Sequence, residues 1–242
     1  GLAVNENGQD YVAWCWKANG GTTSSNSDGA LTSTVQANQA AGFSISKYTS
    51  NGSGSSFGHG LGAAPDWLMI KKIDNQARNW MCWHKDLTTP TTAYIRLNLN
   101  NAQGNDTLWD NTVPDSTKIY VNNSTTEVNN PSGDSYICYA WRGIEGYSKF
   151  GSYEGNGNAE GPFMYTGFRP RMVFLKRVDL SHNWVTFDTA TVTFNPVDEY
   201  ANWDTGGTSA QSASDKIDIL SNGWKLRSTG SSFNNSGSTY IY

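Results

Sequence analysis

Apolar and polar positions alternate with a period of two along most of the chain. That pattern places successive side chains on opposite faces of extended backbone. Residues 43–48, Phe43-Ser44-Ile45-Ser46-Lys47-Tyr48, alternate cleanly, and residues 94–99 do so again. Trp67-Leu68-Met69-Ile70 is an unbroken apolar run, suited to a strand covered on both faces. The same reasoning predicts strands at 11–16, 31–35, 79–84, 118–121 and 135–141. Further on it predicts them at 147–153, 163–166, 172–176, 183–188, 217–220, 224–227 and 239–242. Between them lie turn signals such as Asn51-Gly52, whose residues accept positive φ at little cost. Polar stretches at 17–28, 74–79 and 100–116 read as connectors or loops, the last carrying Trp109. No segment has a helical period. Many short strands separated by turns predict an all-β protein built of antiparallel, jelly-roll-like sandwiches.

The pattern also repeats. Tyr48, Asn51-Gly52, Gly62, Pro65 and Lys71 recur 105 residues later as Tyr153, Asn156-Gly157, Gly167, Pro170 and Lys176. The offset then becomes 104: Asn79-Trp80 matches Asn183-Trp184, Ser132-Gly133 matches Ser236-Gly237, and Tyr136-Ile137 matches Tyr240-Ile241. A register held this long implies tandem copies of one folding unit. The expected divisions are 42–142 for the first sandwich repeat and 143–242 for the second. Residues 1–41 would be the end of a preceding repeat plus a Gly/Ser-rich connector. Gly8-Gln9-Asp10-Tyr11-Val12 resembles Gly133-Asp134-Ser135-Tyr136-Ile137, and the second copy stops at Tyr242 where the first continues through Tyr139-Ala140-Trp141. The chain is therefore expected to be a section of a longer array. The duplication also acts as a filter, since a residue present in both copies serves the shared fold first.

Charge and cysteines narrow the function. The net charge is −4 and only 16% of residues are charged, with no Lys/Arg stripe. A nucleic-acid footprint is not expected. No apolar run reaches membrane-spanning length, so no membrane insertion is expected. Cys15, Cys82 and Cys138 form no C-x-x-C and sit in apolar, strand-like runs, so all three are expected to be buried thiols.

Several long motifs carry a resemblance. Gly42-Phe43-Ser44-Ile45, then Tyr48-Thr49 with Asn51-Gly52, leads to Gly58-His59-Gly60-Leu61-Gly62 and Pro65. The second copy has Glu145-Gly146-Tyr147-Ser148-Lys149-Phe150-Gly151-Ser152-Tyr153 and Gly161-Pro162-Phe163, then Tyr165-Thr166-Gly167-Phe168-Arg169-Pro170. It continues with Leu220-Ser221-Asn222-Gly223-Trp224-Lys225-Leu226-Arg227. Together they resemble a repeat of tailed-phage virion proteins, in particular marine appendage or tail-fibre components likened to concanavalin-A-like lectin sandwiches. The resemblance implies a virion structural protein, exposed on the particle and held by other virion proteins; it names a place rather than a ligand, and attachment to host-surface glycan is the function expected of such a display. It implies a homo-oligomer, a trimer being one arrangement, and it carries over no catalytic residue. Two other readings stay open: a purely structural capsid decoration, neck or fibre-shaft component, and a polysaccharide depolymerase.

Enzyme motifs are missing. A laminarinase-type glycosidase carries Glu-x-Asp-x-x-Glu on one strand, and none occurs. Asp215 and Asp218 are spaced by three, which sends them to opposite faces of a strand. No catalytic residue and no cofactor is predicted. The histidines His59, His84 and His182 are replaced in the other copy by Met164, Asp188 and, by loop position, Arg78, so no His-based metal site is predicted. Loops at 105–106, 110–111 and 198–204 offer oxygen donors, which would bind Ca²⁺ only by converging.

Aromatics are the remaining signal, with ten Trp in 242 residues. Sugars pack their C–H faces on rings, and the same rings also fill cores. Trp80 and Trp184 occur in both copies and Trp224 matches Tyr120, so these read as structural. Trp67 and Trp83 match Met172 and Phe187 and read as core. Trp109 and Trp203, each followed by an acid, Asp110 and Asp204, lie in loops without a counterpart. These four residues are the predicted ligand contacts. Finally, Arg169, Arg171 and Arg177 replace Ala64, Asp66 and Lys72, a change of charge suited to an interface between units.

Overall fold

A computed structural model describes residue 7 and residues 13–74, 77–204 and 216–242. Eighteen strands run through them. The first ten are β1 (Ser24–Asn26), β2 (Ser33–Asn38), β3 (Phe43–Thr49), β4 (Ser55–Gly58), β5 (Trp67–Lys72), β6 (Met81–His84), β7 (Ala93–Arg96), β8 (Gly104–Asn105), β9 (Lys118–Val121) and β10 (Ser135–Trp141). The remainder are β11 (Ser152–Glu154), β12 (Phe163–Tyr165), β13 (Met172–Arg177), β14 (Val185–Asp188), β15 (Ala201–Asn202), β16 (Ile217–Leu220), β17 (Gly223–Leu226) and β18 (Thr239–Ile241). One 3-10 turn, Thr107–Trp109, is the only helical element among the described residues.

All strand pairings are antiparallel, and the class is all-β as expected. The largest sheet orders its strands β1-β2-β3-β10-β5-β6-β7-β8, and the second orders β11-β18-β13-β14-β15. Two small sheets, β4-β9 and β12-β17-β16, lie over their outer faces.

Side-chain alternation sorts these sheets into four layers. Leu68, Ile70, Met81 and Trp83 face a first core shared with Phe57, Ile119 and Val121 of the β4-β9 sheet. Val173, Leu175, Val185 and Phe187 face a second core shared with Met164, Ile219 and Trp224 of the three-stranded sheet. The opposite faces of the two large sheets meet each other. Cys82, Ala93, Ile95 and Leu97 pack there against Val178, Trp184 and Ile241. β6 and β14 are accordingly buried at every position, since a core covers each of their faces. Each unit thus closes its own sandwich, and the two share a middle layer.

The same side-chain constellation is built in both units. Tyr48 stacks on Tyr136 at 5.3 Å and Tyr153 on Tyr240 at 4.8 Å. The Tyr48 hydroxyl donates to the Val128 carbonyl, and Tyr153 donates to Phe233 O at 2.8 Å. Asn129 Nδ2 reaches Asn51 Oδ1 at 3.1 Å, and Asn234 Nδ2 reaches Asn156 Oδ1 at 2.9 Å. Each anchors an Asn-Gly turn whose glycine, Gly52 or Gly157, has a φ near +70° or +66°.

Some expectations need correction. Ala13–Trp16 forms no strand, while Tyr11 and Val12 lie outside the described residues, as do the 8–10 motif and Asp215. β1 occupies part of the stretch read as connector, because its Ser and Asn edge pairs with β2 despite having no apolar face. Of 147–153 only β11 is strand. Residues 144–148 close a tight turn through Ile144 N–H to Ser148 O at 3.0 Å.

Candidate functional site

Strand register builds the site. Antiparallel pairing sets Phe43 opposite Trp141, Trp141 opposite Trp67, and Trp67 opposite His84. Residues directly opposite share a face, so four strands present a row of rings at one end of the large sheet. Trp141 lies 5.0 Å from Phe43 and 4.8 Å from Trp67, the latter pair stacked at 19°. The second unit meets this row with Phe174, 5.3 Å from Trp67 and stacked 4.9 Å from Trp184. Trp16 closes the other side, edge-on to Trp141 at 5.7 Å. Phe150, in the connection between units, sits 6.4 Å from Trp67.

All of these rings except Phe43 wall a pocket of about 580 Å³ at the junction of the two units. Beside the strand residues, its walls draw on three separated stretches: the entry segment 13–16, the connection 146–150, and the loop into β13, with Thr166 and residues 168–171. Its size falls within the roughly 300–1,000 Å³ usual for small-molecule sites. The indole N–H groups of Trp67 and Trp141 are buried, with no acceptor among the described residues. Buried donors are nearly always paired, so two unpaired ones in adjacent wall residues stand out.

The pocket has a sign. Lys149, Arg169 and Arg171 line it, and no Asp or Glu does. All three cations are exposed. The side chains of Arg169 and Arg171 make no hydrogen bond or ion pair among the described residues. Arg177 differs from them. It is 3% exposed and bonds Asp179 at 2.8 Å, away from the pocket.

His84 adds a polar but uncharged wall. Its Nδ1 accepts from Asp86 N–H at 3.1 Å, and its Nε2–H donates to Tyr242 O at 3.2 Å. Both nitrogens are used by the neutral ring. Burial, helped by the Lys85 charge, pushes its pKa down from 6.5 to about 4 against the opposing pull of the Tyr242 carbonyl and Asp66. Between those values the unfolded chain binds a proton that the folded one refuses. Stability is therefore full above pH 6.5 and falls as pH drops towards 4, by roughly 3 kcal/mol from this group. Urea melts from pH 7 to 4 should show a shallower acid loss for His84→Gln than for the wild type; equal slopes would exclude His84 as the source.

The predicted contacts do not assemble into this site. Trp109 is corrected outright: it is 1% exposed, sealed in the first core, with Nε1–H donating to Ala93 O at 2.7 Å. Its loop folds back because the 3-10 turn must satisfy both Leu108 and Trp109 in that core. Asp110 caps the turn at φ 51° and accepts from Asn122 Nδ2 at 2.5 Å. Trp203 is half-buried, bonded to Thr186 Oγ1 at 2.5 Å, and packs behind the pocket against Phe174 at 5.0 Å and Trp14 at 5.5 Å. The carboxylate oxygens of Asp204 are buried without a hydrogen-bond partner among the described residues. Burial raises its pKa, and the Lys176 charge opposes that. Neither Asp110 nor Asp204 lines the pocket.

Other residues sort similarly. Cys82 and Cys138 are buried, and burial pushes both thiols far up. Cys15 is a correction: it is exposed at the pocket wall, because its segment crosses the mouth instead of joining a sheet. His59 is buried between Asp115 O and Leu61 N–H, and His182 contacts Arg177 and Ser232. Among the described residues no three His, Cys, Asp or Glu side chains gather as metal ligands.

The family model of the domain of unknown function DUF7483 matches residues 2–242 and so spans both cores and the pocket between them. The chain belongs to the DUF7483 family. No curated protein and no solved structure matches it. In this DUF7483 chain the pocket is made from both units, so the length the family model covers is also the length needed to build it.

Proposed function

We propose that this domain is a non-enzymatic structural component of a virion appendage or tail fibre that binds host-surface glycan through the junction pocket. The observation that carries the reading is the row of stacked rings Trp141, Trp67 and Phe174 opening on a cavity of about 580 Å³. Flat aromatic walls suit the C–H faces of sugar rings. Glycoside hydrolysis uses two flanking carboxyl groups, and the pocket lining has none, which favours binding over depolymerisation. Support for the virion setting is the motif resemblance around residues 42–65 and 144–170. In that setting the two sandwiches are copies of one unit in a homo-oligomer held by other virion proteins.

The test is binding of the purified protein to an array of bacterial surface polysaccharides. Trp16 is 37% exposed and Tyr147 58% exposed, so each can be removed from the pocket with little cost to folding. Trp16→Ala and Tyr147→Ala should each weaken binding about tenfold, at unchanged melting temperature, as expected for loss of one ring contact. Absence of binding to every polysaccharide would leave a purely structural role.

A further inference from the structure

We infer that the glycan taken by this pocket is anionic, a saccharide carrying carboxylate or sulfate groups. The inference rests on the glycan reading above and adds the charge of the ligand. The chain as a whole is acidic, at −4, yet the pocket collects Lys149, Arg169 and Arg171 and excludes every Asp and Glu. Other arginines and lysines of this protein are paired with acids: Lys72 with Asp134, Arg177 with Asp179, and Arg227 with Glu160 and Asp218. Arg169 and Arg171 have none among the described residues. Asp86 feels the charges of both Lys85 and Lys149, but it lies outside the lining. Two unpaired guanidinium groups on either side of Pro170 can each offer a fork of N–H donors to an oxyanion. His84 contributes no charge at neutral pH, because burial holds it neutral.

The division of labour is then physical. Rings hold the sugar faces, and the arginines select for negative charge. A neutral sugar meets the same rings but leaves the arginines in water, so it loses nothing and gains nothing at the rim.

The experiment compares three polymers of known chemistry by calorimetry: polygalacturonate, dextran sulfate and neutral dextran. The expected result is that one or both anionic polymers bind about tenfold or more tighter than dextran, with affinity falling as salt rises. Which one binds tells carboxylate from sulfate. Arg169→Glu combined with Arg171→Glu should abolish that preference, whereas Lys47→Glu, an exposed charge on β3 away from the pocket, should leave it intact. Both arginines are exposed, so circular dichroism and melting temperature should be unchanged. Equal affinity for dextran, or anionic binding that survives the double reversal, overturns the inference while leaving glycan binding in place. If no polymer binds and the polysaccharide array is also blank, both readings fall together.

Discussion

Trp109→Ala should lower folding stability by about 3–5 kcal/mol, the usual cost of truncating a buried Trp, and leave the proposed glycan binding of the folded protein unchanged. The ring is 1% exposed and sits in the first core beside Leu108, Phe57 and Ile119. Its removal opens a cavity and also strips a hydrogen bond from the Ala93 carbonyl, which β7 holds in a fully buried position. An acceptor stranded in the interior adds its own desolvation cost. Trp109→Phe separates the two effects, because it keeps most of the packing and loses only the N–H. Denaturant melts of both variants check this. A loss below about 1 kcal/mol for Trp109→Ala would contradict the packing described.

Trp184→Ala should cost a similar amount, about 3–5 kcal/mol, with a different distribution. Trp184 is 2% exposed and lies in the middle layer, stacked on Phe174. Its Nε1–H crosses between units to Arg96 O at 2.8 Å. The residue comes from the second unit but fills space under β7 of the first. Hydrogen exchange should therefore speed up in β7 and β14 together, and pocket affinity should drop because Phe174 loses its backing. Faster exchange confined to residues 143–242 would mean that the middle layer does not couple the units. Trp109→Ala should by comparison disturb the first core and, beyond it, only the Ala93 end of β7.

How much of this was legible in the sequence depends on what each feature needs. β3, β9, β10, β13 and β16 announce themselves, because alternation and a turn are local facts. The fold class follows from their number. β6 and β14 are harder, since a short strand buried on both faces reads only as a short apolar run and does not say what covers it. β8 and β15 are two-residue strands with no pattern at all. The pocket was the least legible feature. Trp67 and Trp141 are far apart in the chain and meet only through the β10–β5 register. Comparing the copies pointed to unmatched loop tryptophans, yet a loop ring is most cheaply satisfied by tucking into its own sandwich, which is what Trp109 does. The same comparison did flag Arg169 and Arg171, whose charge has no parallel in the first copy, and those two side chains line the pocket.

The order of strands in the sheets also constrains how the chain is assembled during synthesis. β10 is the last strand of its sheet to leave the ribosome, yet it pairs with β3 on one side and β5 on the other. β18 occupies the same position between β11 and β13. Until each central strand is made, its sheet exists as two separate halves with unpaired edges facing a gap. Neither half can complete the core beneath it. Each unit must therefore wait for its final segment and then close in one step across contacts distant in sequence. That is slow chemistry, and it exposes open strand edges while it waits.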